Sequence, residues 1–167
     1  MRALKWSVSH AVYIDEIDDE HKEIFAAVSW LRKALAGGGP PAEIHKLAGR
    51  LAASATGHFA HEERLMRAAR YGSLRWHKQQ HDNARRRVGQ LAAQLEAGDA
   101  GAGLALVEYL TAWLGDHTRL ADRMLGAFLR NHRLGLCKVT FRASSKPVGT
   151  CAWVDAHGDC FTPPAEG

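Results

Sequence analysis

Four stretches of this chain repeat apolar residues at steps of three and four, the spacing that places side chains on one face of a helix. The first stripe is Ile17, His21, Ile24, Val28, Leu31 and Leu35, with Asp15 or Asp18 as the helix cap and Gly37-Gly38-Gly39-Pro40-Pro41 as its end. The second helix, expected over 42–69, carries Ile44, Leu47, Leu51, Ser54, His58, Glu62, Leu65 and Ala69. Tyr71-Gly72-Ser73 breaks it, and Ser73 is placed to cap a third helix over 74–97 with the stripe Leu74, His77, His81, Ala84, Val88, Leu91 and Leu95. After Gly98-Asp99-Ala100-Gly101 a fourth helix over 102–130 carries Leu106, Leu110, Trp113, His117, Leu120, Met124 and Ala127. Short links between four amphipathic helices, with no strand pattern among them, predict an all-α, up-down-up-down four-helix bundle. Residues 1–16 hold Trp6, Val8, Val12, Tyr13 and Ile14 with little periodicity and read as an extended N-terminal arm that lays its aromatics, Trp6 and Tyr13, against the core. The domain is therefore expected over 1–131, followed by an irregular, flexible C-terminal extension over 132–167.

Five histidines and a glutamate interrupt these apolar stripes. His58 and Glu62 are four residues apart, as are His77 and His81, so each pair shares a helical face with about 5–6 Å between Cβ atoms. In an up-down bundle the start of helix one, the end of helix two, the start of helix three and the later half of helix four lie at the same end. His21, His58, Glu62, His77, His81, His117 and Asp122 therefore fall at one level, and all but Asp122 are on core stripes. Polar groups buried there are costly unless something satisfies them together. A metal centre does so, and imidazole with carboxylate suits iron, zinc or manganese. Asp122 follows His117 by five residues, about 140° round an ideal helix. Either the helix is loosened there, as a π-bulge would do, or the side chain reaches round. The remaining histidines, His10, His45, His61, His132 and His157, fail the test of level or face and read as non-ligands. Glu63, beside Glu62, is expected to face solvent.

Composition narrows the rest. The chain has 167 residues, 46% of them apolar and 24% charged, the balance of one soluble globular domain. No apolar run approaches the roughly 18–20 residues that span a bilayer, and no signal-peptide core follows the N-terminus, so a cytoplasmic location and no membrane partner are expected. Net charge is +4, with Arg85-Arg86-Arg87 the densest basic run. Without a reading motif or an aromatic stripe this is a solvated helix face rather than a nucleic-acid interface. The three cysteines, Cys137, Cys151 and Cys160, lie in the extension, where free thiols are expected rather than a thiolate metal site with His157.

The pattern H…H-x3-E…H-x3-H…H-x4-D, matched by His21, His58, Glu62, His77, His81, His117 and Asp122, resembles the hemerythrin family and its single-domain bacterial members. Trp6, the run Ile17–Phe25, His58-Phe59 and Trp113-Leu114 add to the likeness, which covers about residues 5–130. The resemblance implies two iron ions. His77, His81 and His117 would hold one and His21 and His58 the other, with Glu62, Asp122 and a solvent-derived oxo or hydroxo group as bridges. Counting donors then leaves one open position on one iron, where dioxygen would bind end-on as hydroperoxide, and the five-residue step to Asp122 is one the family uses. The expected function is reversible dioxygen binding for storage or delivery to an oxygen-consuming enzyme, by a monomeric protein that is not itself an enzyme. A di-iron enzyme acting on NO, peroxide or O2, or a metal store, is the alternative. Phe25, Phe59, Trp113 and Leu114 are the expected apolar lining of the dioxygen pocket. Thr118 stands where the family often has isoleucine, and its hydroxyl either faces the pocket or bonds to its own helix.

Overall fold

The structure is a computed structural model that describes residues 5–133. Most of the expected extension, with Cys137, Cys151, His157 and Cys160, lies outside the described residues. Residues up to Leu129 form one compact unit. A short 3-10 turn, Val8–His10, sits in the arm, followed by α1 (Asp15–Ala36), α2 (Pro41–Ala68), α3 (Leu74–Glu96) and α4 (Ala100–His117). A π segment (Thr118–Asp122) then leads into α5 (Arg123–Arg133), so that the fourth rod of the bundle is one helix with a change of winding inside it. Each rod packs on the next and α1 also packs on α4, which closes the up-down-up-down ring. There is no strand among the described residues, and no helix among them is long and apolar enough to cross a membrane.

The turns follow from their residues. Helix α1 ends where Gly38 takes φ 63° and α3 where Gly98 takes φ 96°, the left-handed region that glycine enters without penalty. Arg70 ends α2 in the same conformation, and the Tyr71 N–H donates back to the Met66 carbonyl at 2.9 Å. The start of α1 differs from expectation. Its cap position is Ile14, and no side chain caps it. Asp18 instead accepts the Val12 and Tyr13 amides at 2.8 and 2.9 Å, fastening the arm to the bundle. Of the arm's two aromatics only Trp6 packs on the core, and the Tyr13 ring is exposed where the backbone takes φ 60°. The arm is also held where Val12 crosses Gly126, so closely that a Cβ on Gly126 would lie 2.5 Å from the Val12 carbonyl oxygen. Ser73 occupies the cap position of α3 but makes no side-chain cap bond.

The buried apolar residues form two main clusters. One gathers Ile24, Phe25, Val28, Leu51, Val88, Leu110 and Leu114 with their neighbours. The other, towards the arm, gathers Val12, Ile14, Ile17, Met66, Tyr71, Leu125 and Leu129. On every rod the residues expected as ligands lie in sequence between the members of these two clusters. The polar level is therefore a layer with an apolar cluster on either side, shielded from water at both ends.

Two details of the expected stripes change. On α2 the inward face is Ala48, Leu51, Ala55, His58, Phe59, Glu62, Glu63 and Met66, turned slightly from the expected one. On the fourth rod Leu120 and Met124 are exposed and Ala121, Leu125 and Leu129 are buried, one residue later than an unbroken α-helix would place them. The π segment is the cause, because it inserts one extra residue into the winding.

Candidate metal centre

Seven side chains meet in the buried polar layer: His21 from α1, His58 and Glu62 from α2, His77 and His81 from α3, His117 from the end of α4 and Asp122 from the end of the π segment. Each is at most 3% exposed. They form two overlapping donor groups. Glu62, His77, His81, His117 and Asp122 make one, and His21, His58, Glu62 and Asp122 make the other, with the donor atoms of each group within 4.8 Å of one another. Both carboxylates belong to both groups. Asp122 reaches the layer because a π turn bonds i to i+5 and so sets residues five apart on one face. Of the two explanations open for it, the loosened helix is the one found.

The imidazoles present their Nε2 atoms inward. The Nε2 atoms of His21 and His58 are 3.1 Å apart, and that of His117 is 3.1 Å from those of both His77 and His81. Asp122 divides its oxygens, with Oδ2 3.2 Å from His21 and Oδ1 3.1 and 3.0 Å from His77 and His117. Glu62 Oε2 lies 3.2 Å from His81, 3.3 Å from His77 and 3.8 Å from His58. Despite these distances, none of the four carboxylate oxygens has a hydrogen-bond partner. Short contacts that are not hydrogen bonds suit donor atoms converging on a shared point. Two ligands at right angles on an ion with bonds of about 2.1 Å stand about 3.0 Å apart, which the 3.1 Å nitrogen spacings match. Four unpaired carboxylate oxygens at full burial are also a heavy penalty that a cation removes. On both grounds the residues fit a pair of metal ions.

Electrostatics agree with that fit. Burial and the neighbouring Asp122 push the Glu62 carboxyl up, but His58, His77 and His81 outweigh them and hold it at about 2. Asp122, also raised by burial, is held well below the usual carboxylate range by His117, His21 and His77. Burial lowers His77, yet Asp122 and Glu62 lift it to about 9. His58 is raised against its burial by Glu62 and Glu20, whereas for His81 burial wins and lowers it. The layer thus carries two ionised carboxylates that draw positive charge inward.

A second ring of side chains holds the imidazoles from behind. His58 Nδ1 meets Glu20 Oε2 at 2.9 Å, His81 Nδ1 meets Glu63 Oε1 at 3.4 Å, and His117 Nδ1 meets the side-chain Oε1 of Gln80 at 3.3 Å. Partners on the outer nitrogen fix the tautomer that leaves Nε2 free to ligate. Glu63 is not the surface charge that its place beside Glu62 suggests. It is buried and takes Arg85 at 2.8 Å as well as His81. Arg85 is likewise no freely solvated cation, since it also pairs with Asp82 at 3.0 Å and lies over the Phe59 ring. Aromatic rings complete the support. Phe59 stacks on His81 with centroids 4.4 Å apart, and Trp113 stacks on His117 at 4.0 Å. Phe25 and Leu114 are buried in the larger apolar cluster. Thr118 is fully buried and its hydroxyl donates to the Leu114 carbonyl at 2.7 Å, so it is used within its own helix. His10, His45 and His61 belong to neither donor group.

A family model described as the hemerythrin HHE cation binding domain matches residues 12–129. The chain belongs to the hemerythrin family. Among curated relatives, myohemerythrin-1 of Phascolopsis gouldii is 31% identical over 117 residues, 70% of this chain and 87% of that protein. Bacteriohemerythrin of Pseudomonas paraeruginosa is 34% identical over 122 residues, 73% and 78% of the two chains. Hemerythrin of Siphonosoma cumanense is 26% identical over 117 residues, 70% and 86%. The buried cluster of this hemerythrin-family chain fits a di-iron site.

Glu20, Glu63, Gln80 and Arg85 do not stand out in the sequence as parts of the centre. For the first three the only signal is adjacency: Glu20 precedes His21, Glu63 follows Glu62 and Gln80 precedes His81, while Arg85 lies one helical turn beyond His81.

Proposed function

We propose that this protein binds dioxygen reversibly at a non-haem di-iron centre, for storage or for delivery to an oxygen-consuming enzyme. One iron is held by His77, His81 and His117, the other by His21 and His58, and Glu62 and Asp122 serve both. The observation that carries this reading is the inequality of the two donor groups, three imidazoles against two around shared carboxylates. Were one solvent-derived group to join the two ions, His77, His81 and His117 with the shared carboxylates would give one iron six donors, and His21 and His58 would give the other five. A single vacancy suits a diatomic held by one end. When bound, two ferrous ions would supply the two electrons that dioxygen takes on binding and returns on release. The chain supplies the enclosure: the apolar clusters on either side of the layer, with Phe25, Phe59, Trp113 and Leu114, keep out water and protons. The relatives named hemerythrin, myohemerythrin and bacteriohemerythrin support the same reading.

The test is an oxygen cycle. Reduced, iron-loaded protein should gain a visible absorption band on exposure to O2, lose it under vacuum and regain it over several cycles. Glu62→Ala and His77→Ala should abolish the band. A single turnover ending in an oxidised spectrum and a released product would replace this reading with an enzyme acting on O2, peroxide or NO. One zinc per chain in place of two irons would remove it.

A further inference from the structure

The second ring is not evenly distributed. Of the two imidazoles on the five-donor side, His58 is backed by a carboxylate at 2.9 Å, while His21 Nδ1 has no partner. That carboxylate, Glu20, is itself gripped from the far side by His61, whose Nδ1 is 2.7 Å from Glu20 Oε1. His58 and His61 are one turn apart on α2, and Glu20 precedes His21 on α1. Two consecutive residues of α1 thus serve the same end of the layer, one inside it and one behind it. The chain of contacts runs from a fully buried imidazole through a one-third-exposed carboxylate to a histidine 18% exposed. On the three-histidine side the corresponding contacts are longer, 3.4 Å from Glu63 and 3.3 Å from the uncharged Gln80.

We propose that Glu20, clamped by His61, is the positioning residue of the two-histidine metal, fixing the His58 ring and strengthening its donation. This rests on the two-metal reading above. An anionic acceptor behind an imidazole makes the inner nitrogen a better ligand, and losing such an acceptor typically weakens metal binding about 10–100-fold. His61 lies outside both donor groups, yet it acts one step further out. Its bond removes a rotational freedom from Glu20 that a partly exposed carboxylate would otherwise keep. The effect is local to one metal, because His58 belongs only to the smaller donor group.

The experiment uses cobalt(II) added to the metal-free full chain, followed by stepwise binding isotherms and by the paramagnetically shifted imidazole N–H proton signals. Wild type should take two ions. Glu20→Gln keeps an acceptor for His58 but removes its charge, and should weaken one binding step about 10-fold. Glu20→Ala should weaken the same step further, and His61→Ala less than either. In each, the His58 N–H signal should shift or vanish while those of His81 and His117 hold. Glu23→Gln, an exposed carboxylate on the same helix, should match wild type. Isotherms and signals of Glu20→Gln and Glu20→Ala that superimpose on wild type would overturn the proposal, as would equal weakening of both steps. Wild type binding fewer than two ions would instead defeat the two-metal reading itself.

Discussion

Gly126→Ala isolates what the arm contributes, without touching a donor residue. The new Cβ would lie 2.5 Å from the Val12 carbonyl oxygen and 2.9 Å from Val12 Cβ. Neither neighbour is the far end of a flexible side chain, so the arm must retreat by about 0.9 Å to reach ordinary contact. Such a shift would stretch the 2.8 and 2.9 Å bonds from the Val12 and Tyr13 amides to Asp18 beyond hydrogen-bond range. Overpacking of this kind costs about 1–3 kcal/mol, while alanine in place of a helical glycine returns about 0.8–1 kcal/mol. The net expectation is a loss of up to about 2 kcal/mol, or a fall of up to about 8 °C in melting temperature for a domain near this size. Gly89→Ala is the control, because nothing lies within 4 Å of its Cβ and it should gain stability. Urea denaturation of both metal-free variants measures the difference, and hydrogen exchange at Val12 and Tyr13 shows where it arises. A Gly126→Ala protein as stable as Gly89→Ala, with both amides still protected, would refute the argument.

Three further outcomes follow from contacts described above. Thr118→Val removes only the bond to the Leu114 carbonyl, so stability should change by less than about 1 kcal/mol. The rate at which the reduced, iron-loaded centre oxidises should hold, and a several-fold slower rate in the valine variant would show that the hydroxyl acts in the pocket. Arg85→Ala leaves buried Glu63 with Arg67 at 3.7 Å as its remaining cation. It should lower the free energy of unfolding by about 1–3 kcal/mol in urea, and an unchanged midpoint would count against the Glu63 network. Removing both metals by anaerobic chelation should lower the calorimetric transition by about 11–22 °C if each ion stands about 100-fold above its dissociation constant. Identical transitions before and after would mean that the buried carboxylates are satisfied without cations.

The bundle is legible in the chain because its stripes are long and its breakers are sharp, as at Gly37–Pro41 and Gly98–Gly101. The seven residues of the layer are legible because histidine on a core stripe is conspicuous, and up-down topology puts their positions at one height. Winding is harder to foresee. A stripe carried through the π segment at constant pitch places Leu120 and Met124 in the core, and they are exposed. Neighbours of ligands are the other weakness. Glu63 is 5% exposed although one residue from Glu62, because two adjacent positions on a helix at a bundle corner can both face partners. Asp18 has the position of a cap and the role of a fastener, since two unpaired arm amides lie within reach of its carboxylate.

The fourth rod contains one residue more than its length requires, and that surplus is confined to Thr118–Asp122. Elsewhere in the bundle, losing a residue would rotate everything downstream by about 100° and turn buried side chains outward. Here, deleting exposed Leu120 would return the segment to regular pitch, with Asp122, Leu125 and Leu129 still in phase with His117. The joint that brings Asp122 into the polar layer is thus the stretch of the rod that tolerates shortening, an expansion gap in an otherwise rigid frame.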